Sequence, residues 1–177
     1  KIAILGSTGS IGKSTLEVIK RDKKNFDVVL LTANNNYRKL IQQAKQFQVK
    51  NVLIKNKNFY SKVKNSLKKT KVYTGDISLT NIISGKLDYT MSAIVGVAGL
   101  QPTVDAIKIS KTLAIANKES IICGWEILSK LIKKYKTKIT PVDSEHFSIM
   151  ELTKGVRDDE IEEIIITASG GPFLNIS

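Results

Sequence analysis

A single cysteine, Cys123, rules out a disulfide framework within the chain and any zinc site built from cysteines, and fits a reducing compartment. No apolar run is long enough to cross a bilayer, so no membrane association is expected. Aromatic residues amount to 6%, and the arginines are only Arg21, Arg38 and Arg157, which leaves little with which to stack on bases. Lysine and arginine together number 28 against 16 acids, a net charge of +12 that would suit a phosphate backbone. The lysines, however, are spread over the whole length. Solvated lysine faces with some attraction for small anions, and no nucleic-acid partner, are the expectation. Lys1 rather than Met opens the chain and strand-like residues follow at once, so a trimmed or partial sequence without signal or transit peptide is expected. A cytoplasmic location is expected.

What remains is ordinary for a globular protein: 42% hydrophobic residues and a mean hydropathy of -0.07 over 177 residues, enough for one full domain and the start of a second. Apolar strand patterns at residues 2–5, 27–31, 51–54, 71–73, 89–95, 112–116 and 138–142 alternate with helical patterns. These helical patterns open at 14–19 and recur at 37–47, 58–68, 77–84, 101–108 and 120–135. This is the order of an α/β doubly wound parallel sheet with helices on both faces. Beyond residue 142 the character changes, with a helix over 143–152, a charged turn and a strand over 161–166. We therefore expect a domain boundary near residue 142.

Five segments carry chemistry. Gly6-Ser7-Thr8-Gly9-Ser10-Ile11-Gly12 joins the first strand to the first helix, where glycines let the backbone approach a pyrophosphate and the helix N-terminus offers free N–H groups. A purely structural turn is the alternative. Gly12-Lys13-Ser14 looks like the end of an NTPase phosphate loop, but Ser7 stands where that loop needs glycine, so Lys13 is expected at the surface. Tyr60 and Lys64 have the spacing of a short-chain dehydrogenase pair but fall beside the third strand, too early for that role. Second, the loop after the second strand reads Asn34-Asn35-Asn36, with Arg38 just beyond, and lacks the acid that an NAD site uses for the ribose 2′-OH, which favours NADP. A run of asparagines could equally serve backbone flexibility.

Third, Asn117-Lys118-Glu119 stands at a strand end, where ligands of doubly wound sheets sit. Asn117 also suits a helix N-cap. Fourth, Asp143 and Glu145 can present two hard oxygen ligands to Mg2+ or Mn2+, with Co2+ a further candidate, or can simply favour a helix dipole. His146 fits a hydrogen-bonding role better than that of a third ligand or general acid. Fifth, Ser169-Gly170-Gly171-Pro172-Phe173 is either a phosphate cradle or a plain turn.

Taken in order, GSTGSIG, AIVGVAGLQPT, ANKES, PVDSEH and SGGPF resemble the 1-deoxy-D-xylulose 5-phosphate reductoisomerases across essentially the whole chain. The resemblance implies a Rossmann-like domain over 1–142, followed over 143–177 by the beginning of a truncated α+β catalytic domain, with NADPH bound through Thr8, Gly9, Ser10 and Ile11, through Asn34, Asn35 and Asn36, and through Asn117 and Glu119 near the nicotinamide. It implies that Asp143 and Glu145 hold the metal, that Lys118, Ser144, Glu145 and Ser169 hold the sugar phosphate substrate, and that Lys118 and Glu145 are catalytic. The implied reaction rearranges and reduces 1-deoxy-D-xylulose 5-phosphate to 2-C-methyl-D-erythritol 4-phosphate, in isoprenoid precursor synthesis, in a full-length homodimer. In that family a third metal-binding Glu, a lid and a helical domain lie downstream of the last motif, so this chain by itself is expected to bind cofactor without being active. Asn34 departs from the family's usual glycine, which bears on the geometry at the 2′-phosphate.

Two other readings compete. A semialdehyde dehydrogenase would need a nucleophilic cysteine, for which Cys123, expected to be buried on its helix, is poorly suited. A non-enzymatic nucleotide-binding or basic interaction module is the other.

Overall fold

The computed structural model describes residues 1–166. Seven strands form one parallel sheet: β1 (Ile2–Leu5), β2 (Val28–Ala33), β3 (Asn51–Ile54), β4 (Lys71–Thr74), β5 (Leu87–Ser92), β6 (Ser110–Ile115) and β7 (Lys138–Pro141). Their spatial order is β4-β3-β2-β1-β5-β6-β7. The chain runs outward from β1 in one direction, returns across the sheet, and continues outward in the other. At that reversal the loops after β1 and β5 diverge and leave a crevice beyond the strand ends.

Every residue of β1 and β2 is buried, as expected of central strands covered on both faces. Alternate side chains feed two cores. Ile2 and Ile4 join Leu16, Ile19, Leu40 and Val63 on the face covered by α1 (Ser10–Arg21), α2 (Tyr37–Gln46) and α3 (Tyr60–Ser66). Ala3 and Leu5 join Leu30, Ile107, Leu113 and Leu128 beneath α4 (Leu100–Ile109) and α5 (Lys118–Tyr135). α6 (Ser144–Leu152) follows β7.

Several elements differ from the sequence pattern. The helix expected to open at 14 begins at Ser10, which puts Gly12 inside its first turn. The expected helix over 58–68 divides into a 3-10 turn, Lys57–Phe59, and the shorter α3. Over 77–84 only the 3-10 turn Leu79–Asn81 forms, and Asp105 accepts from the Ser78 hydroxyl and the Leu79 N–H, which holds the segment against α4. Residues 161–166 form no strand, and among the described residues no strand pairs with them. Cys123 is exposed, not buried. α5 carries apolar residues almost all round, and its inward face is set by Gly124, where an added Cβ would collide with Leu100 of α4.

Gly12 is a tight point in the packing. A Cβ there would stand 2.5 Å from Gly6 O and 2.6 Å from Ser7 Cα, both backbone atoms that cannot swing aside. Gly12→Ala is therefore expected to destabilise the fold by about 2 kcal/mol despite the better helix propensity of alanine. Thermal unfolding should shift down by about 4–8 °C in a chain of this size. An unchanged midpoint would contradict the packing.

Candidate functional site

The turn after β1 is built for close approach. Gly6 has φ +77°, and a Cβ on it would strike Ala93 O in the loop after β5. Its N–H donates to Thr32 Oγ1 (2.9 Å), and Ser7 N–H donates to Thr32 O (2.9 Å), which tie the turn to the end of β2. Buried Ser7 donates from Oγ to Gln43 Oε1 (2.8 Å), while Gln43 Nε2 donates to Ser7 O (2.8 Å), so α2 braces the turn from behind. Gly9 is the N-cap of α1 and offers no side-chain cap, and no acid occupies the first turn. The leading N–H groups of α1 are thus left for an external acceptor, in the positive field of the helix end.

In front of this turn lies a cleft of about 550 Å3. Thr8 and Gly9 from the turn, Asn34 after β2, Lys55 after β3, Asp76 after β4 and Gln101 of α4 line it, over an apolar floor that includes Leu5, Leu53 and Ile94. Asp105, 3% exposed, fixes one wall by accepting from Ser78 Oγ (2.7 Å), Leu79 N (3.0 Å) and Gln101 Nε2 (3.2 Å). An elongated ligand with an anionic middle and apolar rings suits such a cleft.

A second group of polar residues stands beyond the ends of β6 and β7. Asn117, 2% exposed, caps α5 by accepting from Ser120 N (3.0 Å), and its amide donates to Ile94 O and to Gly96 O (2.8 Å). It fastens the loop after β5 to the start of α5. Asp143 caps α6, with Oδ1 accepting from His146 N (2.9 Å) and meeting His146 Nδ1 at 2.6 Å. Partial burial pushes the Asp143 carboxyl up, but the His146 backbone and ring hydrogen bonds and the imidazole charge outweigh it, and its pKa lies below the ordinary value. The Glu145 carboxyl is also lowered, first by a hydrogen bond from its own backbone N–H, then by one from the Ser144 hydroxyl (2.9 Å), with the Lys118 ammonium adding to them.

The other oxygen of Asp143, Oδ2, is buried with no hydrogen-bond partner. Such an orphan is costly unless something completes it, and a hard cation would do so. Asp143 and Glu145 carry carboxylate oxygens of the kind a divalent ion takes, and the Lys118 ammonium lies near enough to Glu145 to lower its carboxyl. Among the described residues, no three His, Cys, Asp or Glu side chains converge into a full metal shell.

The sequence pattern of the 1-deoxy-D-xylulose 5-phosphate reductoisomerase family matches residues 2–124, and that of the C-terminal domain of the same enzymes matches 139–177. The chain belongs to this family. The reductoisomerase of Pelagibacter ubique is 55% identical over 181 residues, covering 100% of this chain and 47% of the relative. That of Bacteroides fragilis is 44% identical, covering 98% and 45%. The Zymomonas mobilis reductoisomerase solved with NADPH superposes with a TM-score of 0.92 at 38% identity, over 99% of this chain and 47% of that one. A reductoisomerase complex with NADPH, fosmidomycin and magnesium gives 0.76 at 33% identity, over 82% and 36%. The chain spans about half the length of the curated relatives it matches.

The structure gathers Thr8, Gly9 and Asn34 into the cleft. Ser10 and Ile11 lie in the first turn of α1. Asn35 accepts from Asn56 Nδ2 (2.8 Å), and Asn36 caps α2 through Lys39 N (3.1 Å), so both are engaged in holding their loop. Asn117 and Glu119 do not line the cleft, and Ser144 and Glu145 border a separate groove of about 810 Å3 with Ile149 and Leu152. Ser169 lies outside the described residues. Sequence reasoning missed Gln43, Asp105 and Lys55. Gln43 had a faint mark, a polar residue on the apolar stripe of α2; the other two had none. Among the described residues, no helix is long and apolar enough to cross a membrane.

Proposed function

We propose that this chain is the NADPH-binding part, with the first metal and substrate residues, of an enzyme that rearranges and reduces 1-deoxy-D-xylulose 5-phosphate to 2-C-methyl-D-erythritol 4-phosphate. The observation that carries this is the uncapped start of α1 opening into the cleft between Thr8, Gly9 and Asn34. We divide the chain at residue 142, since β7 is the last strand of the sheet and α6 begins the segment with the carboxylates. Thr8, Gly9, Ser10 and Ile11 take the pyrophosphate, residues 34–36 the adenosine ribose and its phosphate, and Asn117 and Glu119 the nicotinamide side.

Asp143, through its free Oδ2, and Glu145 would hold Mg2+ or Mn2+. When bound, the ion supplies a Lewis acid and template for the substrate oxygens, and the dinucleotide supplies the hydride. Asn117 keeps the loop after β5 and the start of α5 in register, so that Lys118 emerges at a fixed place beside Glu145. Lys118, Ser144 and Ser169 bind and orient the anionic substrate. His146 holds Asp143 as a carboxylate in the orientation that leaves Oδ2 free.

NADPH is expected to bind at least about tenfold more tightly than NADH, because a buried or loop-held 2′-phosphate gains charge-assisted hydrogen bonds and no acid stands at residues 34–36 to favour a bare hydroxyl. Fluorescence titration of the chain with each nucleotide measures this. Equal or reversed affinities would reject the assignment.

A further inference from the structure

Residues 34–36 after β2 are three asparagines with no cation, and Arg38 just beyond them donates to the Tyr37 hydroxyl (3.3 Å) and does not line the cleft, although a 2′-phosphate there carries close to two negative charges. One cationic side chain does line the cleft among the described residues: Lys55. It follows β3 directly, and β3 is the neighbour of β2, with Ile54 opposite Ala33 in register. Lys55 N–H donates to Ala33 O (2.9 Å), Asn56 N–H to Asn34 O (3.2 Å), and Asn56 Nδ2 to Asn35 Oδ1 (2.8 Å). The exit of β3 is therefore stitched onto the asparagine loop. On its other side the Lys55 carbonyl accepts from Gly75 N–H (3.2 Å), so its backbone is held from both neighbouring strands while its side chain is half exposed.

In the free chain the Lys55 ammonium pairs with Asp76 Oδ1 at 3.2 Å. The Asp76 side chain is 86% exposed, and a pair so open to water is weak and readily exchanged for a stronger partner. Asp76 also lines the cleft. Resting on the NADPH reading above, we propose that Lys55 is the residue that selects NADPH over NADH: its ammonium leaves Asp76 for the 2′-phosphate, supplying from β3 the cation that the loop after β2 lacks. Asp76 parks the lysine at the cleft edge when no phosphate is present and competes with the phosphate for it. Selectivity is then the difference between one dianionic partner and one exposed carboxylate.

The test is fluorescence titration of the full 177-residue chain and of Lys55→Met and Asp76→Asn with NADPH and NADH, backed by displacement of NADPH with adenosine 2′,5′-bisphosphate and with 5′-AMP. Lys55→Met is expected to weaken NADPH about tenfold and leave NADH within about twofold, and to cost the bisphosphate about tenfold but 5′-AMP nothing. Asp76→Asn is expected to tighten NADPH about threefold without helping NADH. Retained NADH binding shows that the variants are folded. Equal loss of both nucleotides in Lys55→Met, no loss of either, or weaker NADH binding in Asp76→Asn would overturn the role of Lys55 while leaving the NADPH reading in place. Failure of the unaltered chain to bind either nucleotide would overturn that reading and this one with it.

Discussion

Gly9→Val is expected to weaken NADPH binding by about a hundredfold or more, whereas Lys13→Ala should change it by less than about threefold. The two residues lie four apart in one loop-helix junction, yet they face different surroundings. Gly9 lines the cleft at the N-cap of α1, with φ -74° and ψ 176°, a backbone conformation open to any residue. A Cβ there would meet only Gly6 O, at 3.4 Å, so the fold tolerates a side chain far better than it would at Gly12. What a valine removes is the space through which a pyrophosphate reaches the N–H groups of the first helical turn. Lys13 is exposed on α1 and does not line the cleft. Titration of each variant, with thermal unfolding as a check on folding, separates the effects. Unchanged affinity in Gly9→Val would place the dinucleotide elsewhere, and loss of ATP binding in Lys13→Ala would point to an NTPase loop instead.

No turnover of 1-deoxy-D-xylulose 5-phosphate is expected from the 177-residue chain, even with NADPH and Mg2+ or Mn2+ present. A chimera that adds the part of the Pelagibacter ubique relative which this chain does not span should be active. The two residues proposed to hold the ion, Asp143 and Glu145, supply two carboxylates, and among the described residues no group of three potential ligands forms. An octahedral ion held by two carboxylates keeps most of its water and binds weakly. Loose placement of the substrate relative to the hydride donor alone costs about two orders of magnitude. Asp143→Asn in the chimera should lower the rate about a hundredfold or more, because an amide both weakens the ion and loses the charge. The readout is NADPH oxidation followed by absorbance. Robust turnover by the 177-residue chain would sink the incompleteness of the metal shell, and a fully active Asp143→Asn chimera would sink the metal role of Asp143.

Much of the architecture was legible because it depends on local residue type. Glycines at 6, 9 and 12 between an apolar strand and a helix mark a turn that approaches a ligand, and φ +77° at Gly6 together with the crowding at Gly12 gives the physical reason. Asn117 could be read as a helix cap, since a short polar side chain before an apolar stripe satisfies the free N–H groups, whereas Asp143 was legible only as an acid at a helix start and the structure makes it the cap of α6. The helix expected over 77–84 was misread for a reason outside that segment. Its apolar spacing is real, with Leu79, Ile82 and Ile83 buried, but the burial is made by a single turn that Asp105 of α4 anchors through the Leu79 N–H, and the chain turns away at Gly85, φ +79°. Cys123 was misplaced because a helix apolar on several sides has no preferred inward face until it docks, and Gly124 against Leu100 decides which side that is.

The amino-acid sequence by itself determined the parallel α/β sheet, the family, and the residue types that stand at each strand end, because periodicity and turn chemistry act over a few neighbouring residues. Only the tertiary structure decided which of those residues share a space. It brought Thr8, Asn34, Lys55 and Asp76 from four separate strand ends into one cleft, set Gln43 behind the glycine turn, and left one oxygen of Asp143 buried without a partner. A parallel sheet aligns the exits of strands that are far apart in the chain. Contacts made at those exits follow from strand order and register, which no local pattern of residues encodes.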